Sequence, residues 1–301
     1  MNLTYMIRPL LALLLIGCAA TSAAKEVTVK HGGITLNGNL IVAEDQTPSN
    51  RTVLITHGTL AHNKMEIVEA LQELLANEGL NSLAINLSLG LDNRHGPYDC
   101  AVPHTYSYSD AVDEIAAWVG WLKRGGTEHI VVLGHSRGGN QTAWYAAEHS
   151  DPAVKQVVLV APATWSAAGA VEGYQKRYKT DLEQPLKQAK EMVAGGKGQE
   201  MMQGIGFIYC ADTQATAEAF VSNYHPDVRR NSPDLFAKID EPMLVIAGSE
   251  DKVVEGLIEQ SREQLQGDKN RLLVIDGADH FFRDLYGEEL VEGLMEFLAD
   301  H

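Results

Sequence analysis

Short apolar runs alternate along this chain with segments whose apolar residues return every three or four positions. Thr52-Val53-Leu54-Ile55-Thr56, Ser82-Leu83-Ala84-Ile85-Asn86-Leu87, Ile130-Val131-Val132-Leu133, Gln156-Val157-Val158-Leu159-Val160-Ala161, Met243-Leu244-Val245-Ile246-Ala247 and Leu272-Leu273-Val274-Ile275 are brief and rich in leucine or β-branched residues. Such runs predict strands buried on both faces. Glu66 to Asn77 carries Ile67, Leu71, Leu74 and Leu75 and stops at Gly79. A segment starting at Ser109 carries Ala111, Val112, Ile115, Trp118, Val119 and Leu122. Both spacings predict amphipathic helices. Further helices are expected after Ser136, at about Glu255–Gln266 and at about Leu285–Leu298. Val27–Val29 and Ile34–Val42 predict a hairpin turned at Gly32-Gly33, and Ser88 to Ser107 reads as a long turn-rich loop. Strands alternating with helices predict an α/β domain with a mostly parallel sheet. From Ala163 to about Asp240 the rhythm breaks. This stretch is polar and carries Gly195, Gly196, Gly198, Gly204 and Gly206, and it reads as a helical insertion. An insertion of this kind beside a site acts as a cap or lid, and otherwise is peripheral decoration.

The first 24 residues differ in kind. Arg8 precedes Leu10-Leu11-Ala12-Leu13-Leu14-Leu15-Ile16, and small residues follow to Ala24. A basic start, a short apolar stretch and a small-residue exit describe an export signal, and the run is too short to span a membrane comfortably. Two exits are legible. Leu15-Ile16-Gly17-Cys18 resembles a bacterial lipobox, in which Cys18 is lipidated and becomes the new N-terminus. Ser22-Ala23-Ala24 resembles a signal-peptidase site that releases a soluble product from about Lys25. The expectation is a protein of the bacterial cell envelope, or a secreted one. Its membrane contact, if any, is the lipid at Cys18. Residues 25–301 then form one domain, with the insertion at about 163–240. In an oxidising compartment the remaining two cysteines, Cys100 and Cys210, are expected to pair. With 40 acidic against 24 basic residues the formal charge is −16, which argues against nucleic acid and anionic lipid as partners.

Gly134-His135-Ser136-Arg137-Gly138 lies between the Ile130 strand and the following helix. A serine between two glycines at such a corner is a nucleophile elbow. The turn strains the serine backbone, and side chains at the flanking positions would meet neighbouring strand and helix. A serine hydroxyl is a weak nucleophile at neutral pH and needs a base, which in turn needs an orienting acid. Asp251 follows the Met243 strand in Gly248-Ser249-Glu250-Asp251. His280 follows the Leu272 strand in Gly277-Ala278-Asp279-His280-Phe281. The C-terminal ends of parallel strands share one edge, so these three residues can converge.

The order Ser136, Asp251, His280, together with His57-Gly58 after the Thr52 strand, resembles the α/β-hydrolase fold superfamily from about Glu26 onward. The resemblance implies a mostly parallel sheet of about eight strands flanked by helices. It also implies an oxyanion hole from the backbone N–H groups of Thr59 and Arg137. Glu250 competes with Asp251 for the orienting role, and Asp279 is expected to shape its loop. His57 is expected to brace nearby backbone, and the Arg137 side chain to cover the helix start. The chemistry expected is hydrolysis of a carboxylic ester through an acyl-enzyme. The same triad also serves amide, peptide and thioester cleavage, and the fold also serves binding without catalysis. The substrate is a small molecule or a short acyl or peptidyl compound. No cofactor is implied, since no phosphate-binding or dinucleotide fingerprint occurs. His62, His95, Asp99 and His104 lack ligand spacing, so no metal is expected. The loop from Asp92 to Cys100 would lie near the active edge, lining a pocket or forming an ion-paired surface. His225 and Arg229-Arg230 read as solvated. The sequence sets no oligomeric state.

Overall fold

The computed structural model describes residues 24–301. The leader, Cys18 and the small-residue exit through Ala23 therefore lie outside the described residues.

Alternation of apolar and turn residues produces one eight-stranded sheet. Its strands are β1 (Lys25–His31), β2 (Ile34–Ile41), β3 (Thr52–Thr56), β4 (Asn81–Asn86), β5 (Ile130–His135), β6 (Val154–Val160), β9 (Met243–Gly248) and β10 (Arg271–Ile275). The order across the sheet is β1-β2-β4-β3-β5-β6-β9-β10. The β1–β2 hairpin and the β2–β4 pair are antiparallel, and every pair from β4 to β10 is parallel. Every residue of β3, β4, β5 and β9 is buried, as continuous apolar runs require when both sheet faces are covered.

The covering helices are α1 (Glu66–Asn77), α2 (Asp110–Arg124), α3 (Arg137–Glu148), α7 (Leu257–Gln264) and α8 (Leu285–Ala299). Their apolar stripes turn inward: Ile67, Val68, Leu71 and Leu75 on α1, and Leu290, Val291, Leu294 and Phe297 on α8. Acidic Glu66 and Glu69 in the first turn of α1, and Lys123 and Arg124 in the last turn of α2, suit the helix dipoles. α1 packs on β4 and α8, whereas α2 packs on α3.

The insertion between β6 and β9 is mixed rather than wholly helical. It holds α4 (Ala167–Tyr178), α5 (Glu183–Ala194), the hairpin strands β7 (Met201–Phe207) and β8 (Cys210–Thr216), and α6 (Ala217–Tyr224). Two 3-10 turns, Val228–Arg230 and Ser232–Lys238, lead back to β9. The hairpin was hidden by weak strand formers such as Gly204, Gly206, Asp212 and Gln214 and by an irregular register, with Gly204 and Asp212 at φ 62° and 51°, so its pairing leans on neighbouring chain. That chain is the 98–108 loop. His104 N–H donates to the Gln214 carbonyl at 2.8 Å, and Thr216 N–H donates to the His104 carbonyl at 2.9 Å. Cys100 and Cys210 are disulfide-bonded, and the Thr213 hydroxyl donates to the Cys100 carbonyl at 2.8 Å.

Candidate active site

Ser136 sits at the β5–α3 corner with φ 58° and ψ −124°, a left-handed conformation that non-glycine residues seldom adopt. The flanking glycines have steric causes. A Cβ at Gly134 would lie 2.4 Å from the Gly138 carbonyl oxygen, on α3. A Cβ at Gly138 would lie 2.2 Å from the His57 carbonyl oxygen, at the end of β3. Strand, corner and helix are thus pressed together, and the strain is held by packing on both sides.

His280 and Asp251 reach this corner from the loops after β10 and β9. The Ser136 hydroxyl donates to His280 Nε2 at 2.9 Å, and His280 Nδ1–H donates to Asp251 Oδ2 at 2.7 Å. Both side chains are nearly buried, at 6% and 4% exposure, so water competes poorly for this ion-pair geometry. Asp251 Oδ1 accepts from Val253 N–H at 2.7 Å and from Val254 N–H at 3.3 Å. The His280 contact and these two N–H donors hold its carboxyl below the usual range despite burial. Asp251 is no helix cap, since α7 begins only at Leu257. Glu250 is exposed, and the hydrogen bond of His280 Nδ1 goes to Asp251 instead. Asp279 accepts from Phe281 N–H at 2.8 Å and shapes its loop.

The loop after β3 runs beside the serine, where a Cβ at Gly58 would lie 3.2 Å from Ser136 Cβ. Arg137 is the first residue of α3, so its N–H has no intrahelical partner. Among the described residues neither the Thr59 nor the Arg137 N–H is hydrogen-bonded. Both residues line one cleft of about 300 Å³ that α4, α6 and the β7–β8 turn roof over. The Arg137 side chain does more than cover the helix start: its guanidinium stacks 4.0 Å above the Tyr108 ring and donates to Asn223 of α6.

His57 is fully buried and neutral, its pKa pushed down to about 3 by burial and by Arg94. Leu87 N–H and Arg94 donate to its Nε2 at 3.1 and 3.2 Å. Its proton is therefore on Nδ1, which donates to the Gly58 carbonyl at 2.9 Å. In a planar trans peptide C=O and N–H point opposite ways, so fixing the Gly58 carbonyl also fixes the Thr59 N–H.

Arg94 and His135 were not singled out by sequence. Arg94 lies in the polar loop expected to be a surface or a pocket wall, yet it is 6% exposed. It donates to the carbonyls of Leu87, Gly96 and Ala61 and to Asn86 Oδ1. His135 Nε2–H donates to the His280 carbonyl at 2.9 Å, and its ring packs 4.9 Å from that of His280. Burial lowers its pKa to about 4. Its place inside G-x-S-x-G was the available signal. Arg230, expected to be solvated, is buried and donates to the carbonyls of Ser222, Asn223 and His225. Its neighbour Arg229 pairs with Asp227 and Glu148 and stacks on Trp144. The other ionisable loop residues do not gather. His62 accepts from Lys64 N–H, His95 contacts Glu26, Asp99 accepts from Ala101 N–H, and His104 stacks between Tyr98 and Phe207.

A family model described as alpha/beta hydrolase fold matches residues 51–184. Among solved structures, Est1E from Butyrivibrio proteoclasticus is similar, with 19% identity, a TM-score of 0.62, and coverage of 91% of this chain and 99% of that one. The Pyrococcus furiosus esterase Pf2001 has 18% identity, a TM-score of 0.60 and coverage of 93% and 91%. The alpha/beta hydrolase GrgF from Penicillium sp. sh18 has 16% identity, a TM-score of 0.68 and coverage of 93% and 99%. At such identities the likeness concerns the fold.

Proposed function

We propose that this chain, which has the alpha/beta hydrolase fold, is a serine hydrolase that cleaves a carboxylic ester. The observation carrying this reading is the hydrogen-bonded line from Ser136 through His280 to Asp251, set on a strained elbow. One of the similar structures, Pf2001 of Pyrococcus furiosus, is called an esterase, which agrees with the ester choice.

The chemistry follows from the positions. Ser136 Oγ attacks the acyl carbonyl while His280 Nε2 takes its proton. The imidazolium is stabilised by Asp251. The negative oxygen of the tetrahedral intermediate is received by the N–H groups of Thr59 and Arg137, each of which is worth about 3–4 kcal/mol in such sites. His280 then gives its proton to the departing alkoxide, which leaves as the alcohol. Water attacks the acyl-serine with His280 again as base, and the acid and free Ser136 are regenerated.

The test is fluorophosphonate labelling followed by peptide mass mapping. Short p-nitrophenyl esters and aminoacyl-p-nitroanilides are assayed beside it. The expected result is a label on Ser136, turnover of esters over anilides, and loss of both label and turnover in folded Ser136→Ala. An unlabelled, folded protein overturns the enzyme reading, and faster anilide turnover overturns the ester choice. Export is part of the same proposal. The leader and the Cys100–Cys210 pair support it, and metabolic labelling with a lipid precursor, in parent and Cys18→Ser, separates the anchored from the released form.

A further inference from the structure

The cleft beside Ser136 has an unusual charge. Of the residues lining it, two are arginines, Arg137 and Arg177, and none is an aspartate or glutamate. The whole chain carries a formal charge of −16, so the charged side chains lining this cleft are opposite in sign to the chain's net charge. A pocket of one sign with low-dielectric walls concentrates ligands of the other sign.

Neither guanidinium is neutralised. Among the described residues no carboxylate lies within 4.0 Å of Arg137 or Arg177, whereas Arg229, Arg271 and Arg283 each have acidic partners. Both are held from behind by aromatic rings. Arg137 stacks on Tyr108 at 4.0 Å, and Arg177 stacks on Tyr209 at 4.3 Å. Each spends few of its five N–H donors on the protein: Arg137 donates to Asn223, and Arg177 donates to the Ile208 carbonyl at 3.2 Å. A stacked guanidinium with free donors is preorganised for a planar, two-oxygen anion. Arg137 is half-buried next to the nucleophile, and Arg177 is exposed on α4. Both line the same cleft, Arg137 beside the nucleophile in sequence and Arg177 on its solvent-exposed side.

Resting on the esterase reading above, we propose that the ester hydrolysed at Ser136 carries a free carboxylate on its acyl or alcohol half, and that the side chains of Arg177 and Arg137 receive it. Neutral esters fit the same chemistry but leave both cations without an anion. Aromatic walls at Trp165, Tyr174 and Tyr224 supply apolar contact for the rest of the substrate.

The test uses the full protein and matched ester probes. On the acyl side, p-nitrophenyl butyrate is compared with the p-nitrophenyl hemi-ester of glutaric acid. On the alcohol side, the butyrate ester of 4-hydroxybenzamide is compared with that of 4-hydroxybenzoate. We expect at least one anionic probe to exceed its neutral match by about tenfold in kcat/KM, carried mainly by KM, as one charged hydrogen-bonded contact implies. Arg177→Gln is expected to cut that ratio about tenfold, and Arg177→Glu to invert it. Raising NaCl from about 50 mM to about 500 mM is expected to erode the preference for the anion. The inference is overturned if both anionic probes are turned over no better than their neutral matches. It is equally overturned if Arg177→Glu, shown folded by its melting curve, lowers anionic and neutral probes alike. If no probe reacts and fluorophosphonate leaves Ser136 unlabelled, the esterase reading itself fails and takes this inference with it.

Discussion

Acid should destabilise this protein well above the pH at which its carboxylates titrate. Three histidines are buried and held neutral. Burial and the Arg94 charge lower His57 to about 3, and burial lowers His104 to about 4. Burial and the neighbouring His280 lower His135 to about 4. A histidine depressed in the folded state favours folding fully above its unfolded value of about 6.5. It loses that contribution as pH falls towards the folded value, because the unfolded chain binds the extra proton. From pH 7 to pH 5 each such group costs about 1.9 kcal/mol, so three cost about 5.6 kcal/mol. One buried acid works the other way. Burial raises Glu114 to about 7, although Ser88 donates to it from both N–H and hydroxyl. Folding then takes up a proton over the same interval, which returns about 2 kcal/mol. The net loss is about 3 kcal/mol, a sizeable part of a typical stability of about 5–15 kcal/mol.

Urea unfolding followed by tryptophan fluorescence at pH 7 and pH 5 measures this directly. With a slope near 3 kcal/mol/M, the midpoint is expected to fall by about 1 M. His104 allows a control, since both its ring nitrogens are buried without partners, in a stack with Tyr98 and Phe207. His104→Phe keeps an aromatic ring there and strands no polar partner. It is expected to be at least as stable at pH 7 and to recover about 1.9 kcal/mol at pH 5. Equal midpoints at the two pH values in the parent protein would refute the reasoning, as would a pH response in His104→Phe identical to the parent's.

Two further outcomes follow from the elbow and its supports. Gly138→Ala must move the end of β3, because the new Cβ would meet the His57 and Thr56 carbonyl oxygens at 2.2 and 2.6 Å; a melting temperature within a few degrees of the parent's would count against that packing, since overpacking costs about 1–3 kcal/mol or more. Arg94→Lys loses the planar donor set on Leu87, Ala61, Gly96, Asn86 and His57, so kcat for an ester should drop about 10- to 100-fold with KM little changed. An unchanged kcat in that variant would mean that the Thr59 N–H does not depend on His57 for its direction.

The sheet was legible because each strand is a separate apolar run, and the burial of β3, β4, β5 and β9 leaves such runs no other use. Ser136, Asp251 and His280 were legible for a related reason: each stands just past a strand end, and parallel strands end on one edge. The β7–β8 hairpin was not. Its residues have little strand preference of their own, and their extended form depends on pairing with His104 and on the link from Cys210 to Cys100, more than a hundred positions away. Arg94 and Arg230 failed for the opposite reason. Both are strongly polar in polar surroundings, which in sequence means surface. In the fold, each reaches carbonyl oxygens that chain turns have left without N–H partners.

Those carbonyl-directed contacts share a logic that pattern alone does not carry. His57 holds the Gly58 carbonyl, and His135 holds the carbonyl of His280 itself. The first sets the direction of the Thr59 N–H. The second fixes the backbone from which the His280 ring reaches both Ser136 and Asp251. A neutral imidazole suits both tasks because it offers one donor in a fixed plane and carries no charge that burial would penalise. Protonation would put a second donor where neither ring has an acceptor to spare, so the low pKa of each histidine and the alignment of the site have the same cause. In the folded protein both rings therefore stay neutral through pH 5, where stability has already fallen, and the serine should lose its alignment only nearer the folded values of about 4 for His135 and about 3 for His57.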